Sequence, residues 1–430
     1  MNNNPPISNL PNEVIAMIVN HVSTIGSPGD IRHLTRVCAS TRWYANEHIW
    51  RICDTQKLEE FANYPEWEVR QHFASSMQTI NWDIHHHTAW NFAQFQFPRM
   101  ENLNIQFYDG PLVLPPLNQF IRPRLKELTI VDLDRDPHRT SSNYIPLLVN
   151  CPTLRMLWIE IDPRASDAEF LAALTACREL ETFILTGPVC RVLNSQILQY
   201  LACQSRLTTL YYVGAGFSLT QDLIQPTLDT LRPGQTIFNH LTVLQTGMTG
   251  AVARELFPRM PTITTLTLYI DQDDDIVDRL RLLPQLDALT LKARADVSLT
   301  PLYLAGLQNI QLSYLEIGGE GGFNFNGITI NPDDIDTLFG SHATLDQLCV
   351  SWQGDTGAQV MPSFLQYLPR LLIERVLANY RALHILEMPA PCGAVDLRMM
   401  PFGPLNGTVT TLSVASVVPP RANPQTSPNA

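Results

Sequence analysis

LKELTI (125–130), LRMLWI (154–159) and LETFIL (180–185) are the stretches whose reading decides the fold. Each places apolar residues at its first, fourth and sixth positions. Alternation over the last few residues is a strand signal, with intervening side chains directed to the opposite face. The same spacing recurs in MQTINW (77), MENLNI (100), LTTLYY (207), LTVLQT (241), ITTLTL (263), LDALTL (286), LSYLEI (312), LDQLCV (345), LHILEM (383) and VTTLSV (409). These thirteen starts have a mean step of about 28 residues, with single steps from 22 to 38. LTVLQT is imperfect, carrying Thr246 in the third apolar slot.

Between the strand signals lie helix-like pieces such as SDAEFLAALTACREL (166–180) and PSFLQYLPRLLIERVLANY (362–380). One strand with one helix cannot bury its own apolar side, whereas stacked copies can. The period and the apolar spacing resemble leucine-rich repeats, and the expectation is an irregular α/β solenoid over 77–418. The Asn or Cys that short repeats of that kind carry three residues past the third apolar position is missing. Leu133, Asp162 and Asp271 stand there instead, so no continuous Asn ladder is expected.

The N-terminal stretch LPNEVIAMIVNHV (10–22) reads differently. Pro11 suits a first helical turn, because its missing N–H would have no partner there. Glu13 complements the helix dipole. Val14, Ile15, Ile18, Val19 and Val22 recur at helical spacing. STIGSPG breaks the helix, and Asp30 is placed to cap a second one carrying Ile31, Leu34, Val37 and Cys38. A third pattern runs through Trp43, Tyr44, Ile49 and Trp50. Three short helices enclose little core, and such a module leans on a neighbour or partner.

The order Leu-Pro-x-Glu, aliphatics at 15, 18 and 22, Asp30 with Leu34, Val37-Cys38, Trp43 and Trp50-Arg51 resembles the F-box. An F-box-like module at 9–51 followed by repeats resembles the F-box leucine-rich-repeat class. The resemblance implies a substrate-recognition subunit of an SCF-type cullin–RING ubiquitin ligase with no catalytic residues of its own. Its partners would be a Skp-family adaptor and, through it, cullin and RING subunits. Leu10, Pro11, Ile15, Ile18, Val22, Leu34, Val37, Cys38 and Trp50 would make the adaptor contact, and the array would select an unidentified target protein.

Composition narrows the other classes. There are 41 acidic against 29 basic residues, a net charge of −12. A nucleic-acid partner is not expected, since phosphate contacts need clustered Lys and Arg. Only Lys57, Lys126 and Lys292 are lysines, and the other 26 bases are Arg. Eight cysteines without CxxC or zinc spacing fit a reduced intracellular compartment, cytoplasmic or nuclear. MNNNPPISNLPNE lacks the basic and apolar regions of a secretory signal, and no apolar run reaches membrane length.

Nothing in the sequence argues for an active site, a metal or a cofactor. His85-His86-His87 has no completing carboxylate arrangement. Asp271, Asp273, Asp274 and Asp275 lack the Gly and distal Glu of a calcium loop and read as a solvated acidic turn. GGEGGFNFNG from Gly318 reads as an insertion. Residues 52–76 are expected to be a helical linker in which Phe61, Tyr64, Trp67 and Phe73 pack the module against the first repeat. Residues 419–430 are expected to be a disordered tail.

Residues two, four and six after each start should line an open concave face. Most are polar, but three consecutive repeats place Met156, Trp158, Ile184, Tyr211 and Val213 there, as one apolar patch and candidate target site. A covering loop or a shifted register would instead take this face out of solvent. Two further readings compete: a repeat scaffold unrelated to ubiquitination whose helices are a cap, and an enzyme on a parallel β-helix.

Overall fold

The computed structural model describes residues 10–318 except 26–27, 38, 85–91, 93, 109–116, 133–143, 162–163, 215, 233, 271–274, 294–306 and 308–309, and the backbone of three later strands at 347–350, 385–387 and 411–413. The chain divides into two units, Met1–Ala215 and Gly216–Ala430.

The first unit opens with α1 (Asn12–Ile25), α2 (Pro28–Leu34) and α3 (Ala39–Ile49). Ile15, Val19 and Ala45 form a small buried core, with Leu10, Ile31, Leu34 and Tyr44 packed around it. Asp30 does not cap α2. That helix begins two residues earlier, at Pro28, and Asp30 lies in its first turn, where a carboxylate complements the dipole.

The array begins one strand before residue 77. β1 (Ile52–Cys53) pairs in parallel with β2 (Thr79–Ile84). The segment expected as a linker is thus the first repeat, with α4 (Thr55–Asn63) and α5 (Trp67–Ser76) as its helical part. Trp50 and Cys53 occupy the apolar slots of WRICDT, but the third slot is Thr55, which hides the pattern. Phe61 and Phe73 are buried as expected, whereas Tyr64 and Trp67 stay exposed and lean only edgewise or face-on against Phe73 and Phe95.

Then follow β3 (Asn102–Phe107), β4 (Glu127–Asp132), β5 (Met156–Ile159), α6 (Asp167–Ala176), β6 (Thr182–Thr186), α7 (Ser195–Ala202) and β7 (Thr209–Val213). Each strand pairs in parallel with the next. The second unit repeats the plan with α8 (Gln221–Asp229), β8 (Val243–Gly247), α9 (Gly250–Leu256), β9 (Thr265–Ile270), α10 (Ile276–Arg279), β10 (Ala288–Ala293), β11 (Tyr314–Gly318), β12 (Gln347–Val350), β13 (Ile385–Glu387) and β14 (Thr411–Ser413), again paired in sequence order. Each of the thirteen strands read from the sequence starts two residues after its first apolar position. This is a repeat fold of the leucine-rich-repeat kind.

The apolar slots build the core. Leu154, Leu157 and Ile159, then Leu180, Phe183 and Leu185, then Leu207, Leu210 and Tyr212 are buried in successive repeats. Phe170 and Leu174 of α6 and Ile197 and Leu201 of α7 are buried too. Ser166 and Glu169 make a capping box that fixes where α6 starts. Thr246, the misfit in LTVLQT, is fully buried and its hydroxyl donates to Gly247 O at 3.1 Å, so the polar atom is satisfied.

Ahead of each strand, backbone, hydroxyl and thiol groups tie successive repeats together. The carbonyls of Arg51, Gln78, Glu101, Lys126, Arg155 and Glu181 each accept two N–H groups from the next repeat. In the second unit the Thr242, Thr264 and Asp287 carbonyls do the same. Thr153 Oγ1 donates to Pro123 O at 2.7 Å, Thr262 Oγ1 to Leu241 O at 2.8 Å, and Cys151 Sγ to Arg122 O at 3.2 Å.

His85–His87, Asp271, Asp273, Asp274, the segment 319–346 that includes most of the glycine-rich insertion, the helix expected at 362–380 and the tail all lie outside the described residues. Asp275 is described and is no free acid of a solvated turn. Arg254 and Arg279 pair with it, and the hydrogen bond from Arg279 first of all holds its carboxyl below the usual range.

Candidate protein-binding surfaces

In α1, two apolar stripes run side by side. Ile15 and Val19, one turn apart, face the module core and are fully buried. Val14, Met17 and Ile25 follow one another at spacings that share a second face, and all three are exposed, Met17 at 69% and Ile25 at 71%. Val37 and Trp43 are also exposed. Five large apolar side chains on three short helices exceed the scattered exposure that needs no explanation.

The residues expected to meet an adaptor therefore split. Val37 and Pro11 are exposed, and Ile18, Val22, Leu10 and Leu34 are half-buried. Ile15 and Trp50 are corrections, because both are core residues. Trp50 stacks on Phe73 with ring centroids 4.4 Å apart and meets Phe61 edge-on at 6.2 Å. It joins the module to the first repeat and presents nothing outward. Cys38 lies outside the described residues. Met17 and Ile25 are not picked out by sequence pattern, and Trp43, part of the third helical pattern, is not among the residues expected to meet the adaptor. The available signal was that α1 carries more apolar side chains than one face of a small core can take.

Trp43 covers His72, with ring centroids 3.4 Å apart. Burial lowers the pKa of His72 and, together with the charge of nearby Arg51, that of His48. Glu47 pairs with Arg99, and Arg51 Nε donates to Gln78 Oε1 at 2.7 Å. Glu47, His48, Arg51, Gln78 and Arg99 line a small cleft with Asn20 and Tyr44.

The second surface is the inner face of the first unit. Register settles its composition. Thr129, Trp158, Ile184 and Tyr211 are paired neighbours on β4 to β7. Met156 pairs with Glu127 and Thr182, and Val213 with Thr186. The residues alternating with them are the buried core, so the strand register read from the sequence is the one found. Met156, Trp158, Tyr211 and Val213 are half-buried. Ile184, only 6% exposed, is the floor between the Trp158 and Tyr211 positions. Trp158 Nε1 donates to Thr186 Oγ1 at 3.1 Å, which holds the indole in place and satisfies its polar atom.

Around these surfaces the ionisable chemistry is structural. Lys126 Nζ bonds Glu101 at 2.7 Å and so lowers the glutamate's pKa. Burial pushes the thiols of Cys53, Cys151 and Cys177 up to about 12. Among the described residues no group of His, Cys, Asp and Glu is arranged to hold a metal ion, and no helix is long and apolar enough to cross a membrane.

No family model matches the chain, and no curated protein matches it in sequence. Among solved structures, it is similar to a chain of the yeast Rad7 and Elc1 complex, with 16% identity over 79% of this chain and 88% of that one at a TM-score of 0.44. It is also similar to an LRR protein of Leptospira interrogans, with 14% identity over 77% of this chain and 91% of that one at a TM-score of 0.32.

Proposed function

We propose that this chain is a non-catalytic substrate receptor of an SCF-type cullin–RING ubiquitin ligase. The helical module docks on a Skp-family adaptor and the repeat array holds the target protein. Catalysis then comes from proximity, because the bound target is kept at high effective concentration beside the ubiquitin-loaded conjugating enzyme.

One observation carries the reading. A three-helix module whose residue order resembles the F-box sits directly ahead of the repeats and leaves Met17, Ile25, Val37 and Trp43 exposed. Such apolar surface fits a protein interface. The test is co-purification of the full chain with a Skp-family adaptor. Met17→Glu with Val37→Glu should reduce capture at least about a hundredfold, because a docked interface would have to bury two unpaired charges. Both side chains are exposed, so the fold should be unaffected. Equal capture of wild type and double variant at equal expression rejects the reading.

The packing of Trp50 between Phe61 and Phe73 favours a second reading, a binding scaffold whose helices merely close the end of the array. On that reading no adaptor is retained by either protein.

A further inference from the structure

We propose that the inner face of the first unit takes a basic segment of a protein partner. An aliphatic or aromatic side chain of that segment would seat at Met156, Trp158 and Tyr211. Arg or Lys side chains beside it would meet Asp83 and Glu127. This deepens the proposed function by giving the target a chemistry, and rests on that reading only in taking the partner to be a target.

Charge is the first argument. The repeats of β2 to β7 each offer three positions to this face, the residues two, four and six after each repeat start, of which Glu160 falls one residue past β5. Asp83, Glu127 and Glu160 are the charged residues among them, and no Lys or Arg occupies any of these positions. The unit is not short of bases. Lys126, Arg155 and Arg206 lie one residue outside the strands or beyond, where they pair with Glu101, Glu179 and Glu181. Basic side chains are thus kept at the rim while the face is acidic, and a partner is steered by the complementary sign.

The aromatic rings are the second argument. Trp158 and Tyr211 lie two strands apart with Ile184 between them, a span of roughly 10 Å at ordinary strand spacing. One side chain fills such a gap. The faces of Trp and Tyr also attract a guanidinium or ammonium, so the same rings suit both parts of an apolar-plus-basic segment. The site is held ready. Thr186 fixes the Trp158 indole, and Gly187, at φ 67°, leaves room for Glu160, whose Cγ lies 3.4 Å from where a Cβ would stand. A prearranged site loses less on binding.

The experiment is a selection of random twelve-residue peptides displayed on phage against the full chain, in low salt, with no adaptor present. The enriched pool should carry an excess of Arg and Lys next to Leu, Phe or Trp. A synthetic peptide of the consensus should bind about tenfold more weakly to Asp83→Asn with Glu127→Gln, and about thirtyfold more weakly to Trp158→Ala. The neutral pair Asp83→Asn and Glu127→Gln keeps side-chain shape and serves as the arm that does not depend on Trp158→Ala folding. A pool rich in Asp and Glu overturns the proposal, as does a pool with no charge bias, no enrichment, or a consensus peptide indifferent to all three substitutions. Adaptor co-purification is measured separately. Basic-peptide capture without adaptor capture keeps this inference and rejects the ligase reading, and the converse does the opposite.

Discussion

Residues 10–50 and the strand–helix repeats after them treat their apolar side chains in opposite ways. The module exposes Val14, Met17, Ile25, Val37 and Trp43, and the first repeat beside it Ile52, Tyr64 and Trp67, while among the described residues from 79 to 318 Val149 alone is a large exposed hydrophobe. The difference is one of neighbours rather than of composition. A repeat inside the array is covered on both sides, so α6 and α7 bury Phe170, Leu174, Ile197 and Leu201. The module has the first repeat on one side, reached through Trp50, and its own core is little more than Ile15, Val19 and Ala45. Whatever else α1 carries is left outside. Apolar surface on the module therefore points to association, whereas apolar content in the array, the patch at Met156, Trp158 and Tyr211 apart, points to folding.

The largest effects should fall where this contrast is drawn within one helix. Ile15→Asp puts an unpaired carboxylate into a fully buried position and should cost roughly 4 kcal/mol or more. The module should then open while the repeats remain folded. Met17→Glu, two residues along, should change stability by no more than ~0.5 kcal/mol. Thermal melting followed by circular dichroism, with limited proteolysis to locate the cleavage, measures both. If Met17→Glu melts the module and Ile15→Asp does not, the assignment of the two stripes is inverted and the exposed face is a core.

How far this contrast was readable beforehand depends on what sets each feature. The strands are set by local alternation, and each of the thirteen begins where the apolar spacing puts it. The inner-face register followed for the same reason, because Leu157, Phe183 and Leu210 alternate strictly with Trp158, Ile184 and Tyr211. Three features were not local. β1 is two residues long and its repeat has Thr55 in an apolar slot; its place is fixed by pairing with β2, and Thr55 Oγ1 there accepts the Asp83 N–H at 2.7 Å. The F-box resemblance puts Trp50 on the adaptor face; that Phe61 and Phe73, expected to pack the module, take Trp50 itself is decided by tertiary packing. Ile15 and Met17 are both apolar, and only tertiary packing decides which one faces in. The carbonyl bonds that tie successive repeats ahead of each strand are equally invisible, since the backbone supplies them.

A second test sharpens the contrast inside the array. Cys203 is exposed, whereas Cys53, Cys151 and Cys177 are buried and donate to the Trp50, Arg122 and Leu148 carbonyls. Raised from 9.0 to about 12 by burial, such a thiol is ionised in only about one molecule in ten thousand at pH 8. Alkylation of the folded protein at pH 8, read by peptide mass spectrometry, should label Cys203 at least about a hundredfold faster than these three. Raising the pH towards 10 should increase the slow rates about tenfold per unit, since thiolate is the reacting form. Comparable rates at all four sites would mean that the repeats open readily, and would remove the tight core on which the contrast with the module depends.

The smallest structural effect concerns the lysines. Lys57 Nζ donates to Ile49 O at 2.9 Å and Ile52 O at 2.7 Å, closing the end of α3. Lys126 Nζ is held by Glu101 at 2.7 Å, and Lys292 Nζ lies 5.9 Å from the centre of the Tyr269 ring. All three lysine amines in the chain are thus engaged, and the remaining 26 bases are Arg. Ubiquitin transfer joins a deprotonated amine to a thioester carbonyl and releases the thiol. Arg keeps its charge at any accessible pH and cannot serve as that amine. On the proposed function, a receptor held beside the ligase centre would be the nearest acceptor, and this composition would shield it. Changing about ten exposed Arg to Lys, Arg178, Arg232 and Arg281 among them, should leave melting within a few degrees, each swap costing less than ~0.5 kcal/mol. The cellular half-life should nevertheless shorten, and the shortening should vanish when Met17→Glu and Val37→Glu are added. A half-life unchanged by the swap would leave the Arg excess as a matter of composition alone. Equal shortening with and without the module substitutions would mean that the new lysines are modified by another ligase, and that the exposed stripe of α1 has no part in it.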